Sequence, residues 1–327
     1  PRGDVIRQVL KNTAKRSSNI NSKTLASVAI QGAGLVNALS AIETTNSITP
    51  DHIDLLDSEH FHKTVKISIK NNGRHSETYT LSHAPADALN SYPNGNSFPL
   101  PRPIIEADYA TVSFSESKVK ISAGKTVKVT LKFKAPKKGN ADHFPIYSGF
   151  VVATPKSKGG VAVHVPYTGL KGDVAKVPIF DTDLGFPLAL HLDNTTEIIQ
   201  PFPNNFKFDL VNNFPVIVTR LGSHTPDLTF RVFEAGSGKF VGFIDSLNNG
   251  PGFGWAGRDY NLDADGNPVY NVWVWGGSVF AKEDSSLTPT RLPGGDYTLI
   301  AAAQKKLTKG SFPKDFESFK VGTVKIA

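Results

Sequence analysis

The chain has 327 residues, 39% of them hydrophobic, and contains neither cysteine nor methionine, so it can carry neither a disulfide framework nor a thiolate metal site. No run of about 18 apolar residues occurs, which excludes a membrane-spanning helix. The net charge of +7 is uneven: residues 1–48 hold six Lys/Arg and two acids, residues 49–172 sixteen and ten, and residues 173–327 fourteen and seventeen. This length leaves room for a sizeable core and two domains, and a start at Pro1 is what a processed product or fragment would show.

Residues 1–48 are helical in pattern. Val5, Ile6, Val9 and Leu10 form one apolar stripe, with Asp4 at its start and Lys11, Lys15 and Arg16 toward its end, the charge order a helix dipole favours. A polar stretch, SSNINSK (17–23), and a short apolar one, LASVAI (25–30), lead into QGAGLVNALSAIE (31–43). There the spacing predicts a second helix with Leu35, Val36, Leu39 and Ile42 on one face, while Gly32, Ala33 and Gly34 permit close backbone approach. Full burial of the eight large apolar side chains on these helices is worth on the order of 12–24 kcal/mol as an upper bound, at roughly 1.5–3 kcal/mol each. Two helices joined by a polar loop cannot bury that area against each other, so they are expected to belong to a larger body.

From residue 49 the period changes to two. FHKTVKISIKNNGRHSETYTL (61–81) reads as two strands around an Asn71-Asn72-Gly73 turn, and YSGFVVATPKSKGGVAVHVPY (147–167) as a hairpin across Lys158-Gly159-Gly160. DALNSYPNGNSFPLPRP (87–103) is too rich in Asn, Gly and Pro to pair and reads as a long loop. The basic excess centres on KVKISAGKTVKVTLKFKAPKK (118–138), where Val127, Val129, Leu131 and Phe133 alternate with Lys128, Thr130, Lys132 and Lys134. A nucleic-acid surface would interleave aromatics or arginines with outward lysines. None is present, so the lysines read as a solvated strand face rather than a polyanion site. Residues 173–327 are again β, more aromatic and more acidic, with turn chemistry at Gly236-Ser237-Gly238, Asp265-Gly266-Asn267 and Pro293-Gly294-Gly295. The fold class read from these patterns is mainly β: two β-sandwich domains behind a short helical segment.

Several stretches carry a family resemblance. IRQVLKNTA (6–14) followed by QGAGLVNALSAI (31–42) resembles the end of the catalytic domain of subtilisin-like serine proteases, the Gly-Ala-Gly-Leu-Val-Asn run being the most specific part. YSGF (147–150) and VPYTGLKGD (165–173) resemble the fibronectin-III-like domain that follows it in large secreted subtilases. GFGWAGRDYN (252–261), VWVWGGSVF (272–280), LPGGDYTLIAAA (292–303) and KDFESFKVGTVKI (314–326) resemble a further sandwich of fungal members. The resemblance implies that residues 1–48 are the last helices of a subtilisin-like α/β catalytic domain, 49–172 a fibronectin-III-like β-sandwich and 173–327 a second β-sandwich. The family's Asp, His-Gly-Thr, oxyanion Asn and Gly-Thr-Ser boxes occur nowhere in the chain, so it implies no catalytic residue here. It also implies secretion, with the N-terminal catalytic portion of the same precursor as partner and protein or peptide substrates reached through that portion. On this reading the chain stabilises the catalytic domain and shapes substrate access. The alternative is a stand-alone module that binds a glycan, a cell wall or a protein.

No independent active site emerges from the residues. Nine histidines are present but no Gly-x-Ser-x-Gly elbow, and HFH (60–62) and HFP (143–145) read as strand-edge or loop histidines. No His pair has helical ligand spacing, so neither metal nor cofactor is expected. NLDADG (261–266) matches half a calcium loop, but Val272 stands where the bidentate Glu is required, and Asp265-Gly266 reads as a hairpin turn. Arg2-Gly3-Asp4 precedes a helix, where Asp4 suits the N-terminus better than an adhesive role. Asn194-Thr195-Thr196 is a glycosylation sequon, placing an N-glycan at Asn194 if the chain is secreted. Trp273 and Trp275 share one strand face and read as core. Trp255, Arg258 and Asp259, beside a glycine-rich loop, are the candidate binding surface. No nucleic-acid or membrane partner is expected.

Overall fold

The computed structural model describes residues 3–20, 23–192, 198–199 (backbone alone), 207–260, 262 and 265–327. Strand makes up 47% and helix 10%, the mainly β composition that the alternating patterns predict. Two compact units form, one of Pro1–Gly95 and Leu100–Asp173, the other of Asn96–Pro99 and Val174–Ala327.

The first unit is a sandwich of two sheets. One holds four antiparallel strands in the order Asn46–Thr49, Thr64–Asn71, Thr126–Lys134 and Thr111–Phe114. The other runs Ile53–Asp54, Val163–Leu170, Ile146–Pro155, Glu77–Asn90 and Ile104–Glu106, with Lys118–Ile121 also paired to Glu77–Asn90. Inward residues of both, among them Ile67, Ile69, Val129, Leu131 and Phe133 against Tyr79, Val151, Val165 and Tyr167, make one aliphatic-rich core. The Lys158-Gly159-Gly160 hairpin forms with Val163 opposite Ala153.

Two local expectations are corrected. The strands flanking Asn71-Asn72-Gly73 belong to different sheets, so the turn is a corner rather than a hairpin. The buried Asn71 amide explains it: Nδ2 donates to His75 O (2.8 Å) and Ile121 O (3.0 Å) while Oδ1 accepts Gly73 N (2.9 Å), which ties the corner to another strand. Residues 87–90, expected in a loop, extend the strand Glu77–Asn90 and pair with Ile104–Glu106. Their polar side chains are held from outside the sheet. The buried Asp87 carboxylate accepts from Asn19 Nδ2 (2.6 Å), Thr24 Oγ1 (2.6 Å) and Tyr109 OH (2.7 Å).

The N-terminal segment forms three helices: α1 (Gly3–Thr13), α2 (Val28–Gln31) and α3 (Ala38–Glu43). The helix expected over 31–43 therefore starts seven residues later than its apolar spacing suggests. Gly32 (φ 60°) and Gly34 (φ 119°) break it, and Asn37 caps the remainder by accepting from Ser40 N. Gly34 gives close approach as anticipated: Lys15 and Leu35 exchange both backbone hydrogen bonds (2.7 and 2.8 Å), and a Cβ at Gly34 would fall 2.5 Å from Lys15 O.

The second unit builds its core differently. Among its described residues a twelve-stranded sheet forms: nine strands run from Ile198–Ile199 through Leu188–Leu192, Phe214–Thr219, Asn271–Phe280, Phe240–Ser246, Thr225–Glu234, Gly295–Gln304 and Phe316–Ile326 to Lys207–Phe208, and Gly250–Pro251, Phe253–Ala256 and Thr290–Arg291 pair beside them. It is sandwich-like because the sheet curls: Ile217 and Trp275 from one end share a core with Leu299, Val324 and Ile326 from the other.

Candidate functional site

Two exposed features stand out, one in each unit. In the first unit α1 is seated by its polar face. Gln8 Nε2 donates to Ile48 O (2.9 Å) and Thr49 Oγ1 (3.0 Å), and Lys11 pairs with Asp51 (2.7 Å). Asn12, fully buried, donates to His164 O and accepts from Ile48 N, both at 3.0 Å. An amphipathic helix on a globular body normally turns its apolar stripe inward. Here the stripe faces away and, with α3, lines an apolar groove of about 380 Å³ formed by Val5, Ile6, Val9, Leu10, Ala38, Ala41 and Ile42. Of the eight large apolar residues that the two expected helices display, six stay exposed, Ile42 to 82% and Leu39 to 66%. The larger body that the sequence calls for is not supplied by the first unit.

In the second unit, Trp255, Arg258 and Asp259 come together with Leu221, Asn271 and Trp273 around a cleft of about 290 Å³. The strand Phe253–Ala256 pairs with Thr225–Glu234 and is anchored where Gly254 N donates to Asp227 Oδ1 (2.9 Å). Trp255 is 74% exposed and its ring rim lies over Gly257, while the Arg258 guanidinium stacks 4.7 Å above the Tyr260 ring. Asp259 is already engaged: Oδ2 accepts from Leu221 N and Oδ1 from Asn271 Nδ2, each at 2.7 Å. Burial nevertheless raises its pKa, against the pull of those donors. It braces the cleft wall, which leaves Trp255 and Arg258 as the groups that the cleft presents. Trp275 is fully enclosed and donates Nε1 to Ser278 O (2.8 Å), as a core tryptophan should. Trp273 packs on Phe230 (centroids 4.8 Å apart) and reaches the cleft; its shielded Nε1 has no hydrogen-bond partner among the described residues.

The remaining sequence candidates do not assemble. His60 Nδ1 lies 2.8 Å from Asp57 Oδ1, His62 Nδ1 2.9 Å from Asp54 O, and His143 ends a short 3-10 turn. Asp265-Gly266 sits in a turn with Gly266 at φ 84°, and Val272 lies in the following strand. Asn261, Asp263, Asn194 and Arg2, and with them the calcium-loop and glycosylation readings, lie outside the described residues, whereas Asp4 stands in the first turn of α1, the N-terminal place expected of it. Among the described residues no cluster of three metal-ligating side chains occurs.

Three buried polar clusters escape sequence reading because their members are far apart in the chain. Asp87 is one. His164 is another: burial pushes its pKa down to about 4, and its Nε2 lies 3.0 Å from Ala33 O. The third joins Lys306 Nζ to Ser223 Oγ (2.8 Å), with the Ser223 hydroxyl donating to Pro178 O (2.8 Å) and the Glu317 carboxylate accepting from Ile179 N and Phe180 N. Burial lowers Lys306 to about 8. A lysine beside a serine suggests nucleophile activation, yet this hydroxyl is buried and spends its proton on a main-chain carbonyl, so the cluster acts as a brace.

Residues 53–168 match the family model described as an Fn3-like domain, so the first unit contains a fibronectin-III-like β-sandwich. No curated protein matches the chain. Solved structures similar to it include PapD-like domain 7 of human CEP192, at 14% identity over 39% of this chain and 85% of that one, with a TM-score of 0.28. The CsuC–CsuE chaperone–tip adhesion subunit complex of Acinetobacter baumannii aligns at 13% identity over 68% of this chain and 94% of that one, with a TM-score of 0.26. The Pseudomonas aeruginosa CupB2 chaperone aligns at 5% identity over 84% and 100%, with a TM-score of 0.24. At such TM-scores the likenesses carry nothing about what this chain does.

Proposed function

We propose that this chain is the non-catalytic C-terminal portion of a secreted subtilisin-like serine endopeptidase, docked to the catalytic portion of the same precursor through the groove between α1 and α3. The observation that carries the reading is the reversed seating of α1, whose polar face is bonded to the sandwich while Val5, Ile6, Val9 and Leu10 line an open groove. Leaving that much apolar side chain in water forgoes roughly 1.5–3 kcal/mol per residue, which a partner surface would recover. The resemblance of residues 6–14 and 31–42 to the end of the subtilase catalytic domain names the partner. An N-glycan at Asn194 belongs to the same reading.

Native mass spectrometry of naturally purified material, treated with a fluorophosphonate serine probe, tests it. A complex heavier than 35.3 kDa by a chain that takes the label is the expected result. Ile6→Asp with Ile42→Asp should release that chain while shifting folding stability by no more than about 0.5 kcal/mol, because both positions are exposed. A single unlabelled species would overturn the proposal.

The second reading, a stand-alone binding module, is favoured by the cleft at Trp255. An exposed aromatic face beside a stacked arginine suits a sugar ring. Glycan-array binding that survives Ile6→Asp with Ile42→Asp and is lost in Trp255→Ala would select it.

A further inference from the structure

We propose that the outer face of the four-stranded sheet binds a linear acidic polysaccharide, a chain bearing carboxylate or sulfate groups, along a row of five lysines. The inference is independent of the protease reading, since it uses the fibronectin-III-like sandwich alone.

The row follows from strand register. Lys66 and Lys70 project outward from Thr64–Asn71, and Lys128, Lys132 and Lys134 from Thr126–Lys134, while the alternate residues of both strands fill the core. Lys66 lies opposite Thr130 and Lys128 opposite Ser68, so no lysine directly faces another. The diagonal neighbours are the lysines, giving the sequence Lys70, Lys128, Lys66, Lys132, Lys134 in steps of about 7–8 Å. The row spans about 27 Å at roughly 3.4 Å per strand residue. Serine and threonine hydroxyls occupy the positions between, as at Thr64 and Ser113 on either side of Lys132.

Protection of sheet edges does not explain this arrangement, and the solvated-face reading leaves its lack of acids unaccounted for. Edge strands are where lysines guard against unwanted pairing. Here the edge strands Asn46–Thr49 and Thr111–Phe114 carry none, and the two central strands carry all five. No Asp or Glu occurs in any of the four strands, and none of the five lysines forms an ion pair among the described residues. Opposite charges placed across strands would stabilise the sheet, so the acid-free grouping forgoes stability for an uninterrupted positive field.

The chemistry of the face selects the ligand. Single-stranded nucleic acid is held by aromatic stacking beside the positive charge, and no outward aromatic accompanies these lysines. Membrane-surface binding adds apolar side chains that enter the headgroup layer, and protein interfaces build on aromatic or arginine anchors while depleting lysine. All are missing here. A hydrated chain with evenly spaced anions and many hydroxyls matches what remains: ammonium groups for the charges and Ser/Thr hydroxyls for the sugar hydroxyls.

The full chain would be titrated with heparin and with polygalacturonate, using neutral dextran, a single-stranded oligonucleotide and phosphatidylserine vesicles as comparisons. Binding to at least one acidic polysaccharide is expected, weakening steeply between about 50 and about 200 mM salt as counterion release requires. Lys66→Thr/Lys128→Thr/Lys132→Thr keeps strand-favouring side chains and should weaken binding about tenfold or more. Lys156→Thr/Lys158→Thr/Lys320→Thr removes the same charge elsewhere and should change it by no more than about twofold. Should the first triple variant not fold, Lys66→Thr alone, at the centre of the row, is compared with Lys158→Thr. Equal losses in the two variants, binding of dextran, tighter binding of the oligonucleotide or the vesicles, or no polyanion binding at low salt would each overturn the proposal.

Discussion

The two units treat an outward cation on a central strand in opposite ways. In the first, Lys66 and Lys128 stand in solvent among hydroxyls with no carboxylate partner among the described residues. In the second, Arg231 on the central strand Thr225–Glu234 is roofed by phenylalanine rings, its guanidinium 4.2 Å from Phe312, 4.8 Å from Phe243 and 5.2 Å from Phe316, and Nη2 reaches Glu283 at 3.2 Å. Arg220 is enclosed more completely, bonded to Asp181 and stacked 3.6 Å from Phe98. The lysines and Arg231 satisfy the same period of two. The difference teaches that alternation alone does not say whether an outward charge is structural; its partners do.

The largest expected effect follows from that contrast. Arg220→Ala strands the buried Asp181 carboxylate and should cost about 3–5 kcal/mol in urea unfolding; a loss below about 1 kcal/mol would break the distinction. Next comes His164, an enclosed ring kept neutral in the first unit. Its folded pKa of about 4 lies below the ordinary 6.5, so between those values the unfolded chain binds a proton that the folded chain refuses. Stability should therefore be complete above about pH 6.5 and fall as pH drops toward 4, by on the order of 2–3 kcal/mol, and His164→Gln should flatten that slope in thermal melts. Arg231→Ala removes a cation from between rings and should cost about 1–3 kcal/mol, with Arg231→Lys intermediate because it keeps charge but not the plane. The smallest effect sharpens the comparison from the other side: Lys128→Ala should shift unfolding by less than about 0.5 kcal/mol.

How much was legible depended on how local the determinant was. KVTLKFK announced both its strand and its buried face because period two is written in adjacent residues, and Val129, Leu131 and Phe133 are buried as read. The apolar stripe of α1 was equally plain, but its direction was not. That depends on Gln8 and Asn12 meeting Ile48 and His164, residues 40 and 152 positions away from their partners. QGAGLVN misled because Leu35 and Val36 keep a helical spacing while Gly32 and Gly34 take left-handed backbone. The Asn71 corner was hidden for a further reason: Asn-Gly favours a tight hairpin, and only the remote carbonyl of Ile121 turns the amide to another use. In the second unit, Trp255 was found beside its glycines, whereas Arg220 and Asp181 gave no sign of being paired.

The seating of α1 has a mechanical consequence. Gln8, Lys11 and Asn12 fasten the helix at three successive points, and Asp87 pins the chain that follows through Asn19 and Thr24. A flexible leader would let a docked body swing; this one is riveted. A body docked there, as proposed, would inherit a fixed bearing on the fibronectin-III-like sandwich, the segment then acting as a gauge block that sets distance and angle rather than a leash that merely limits them.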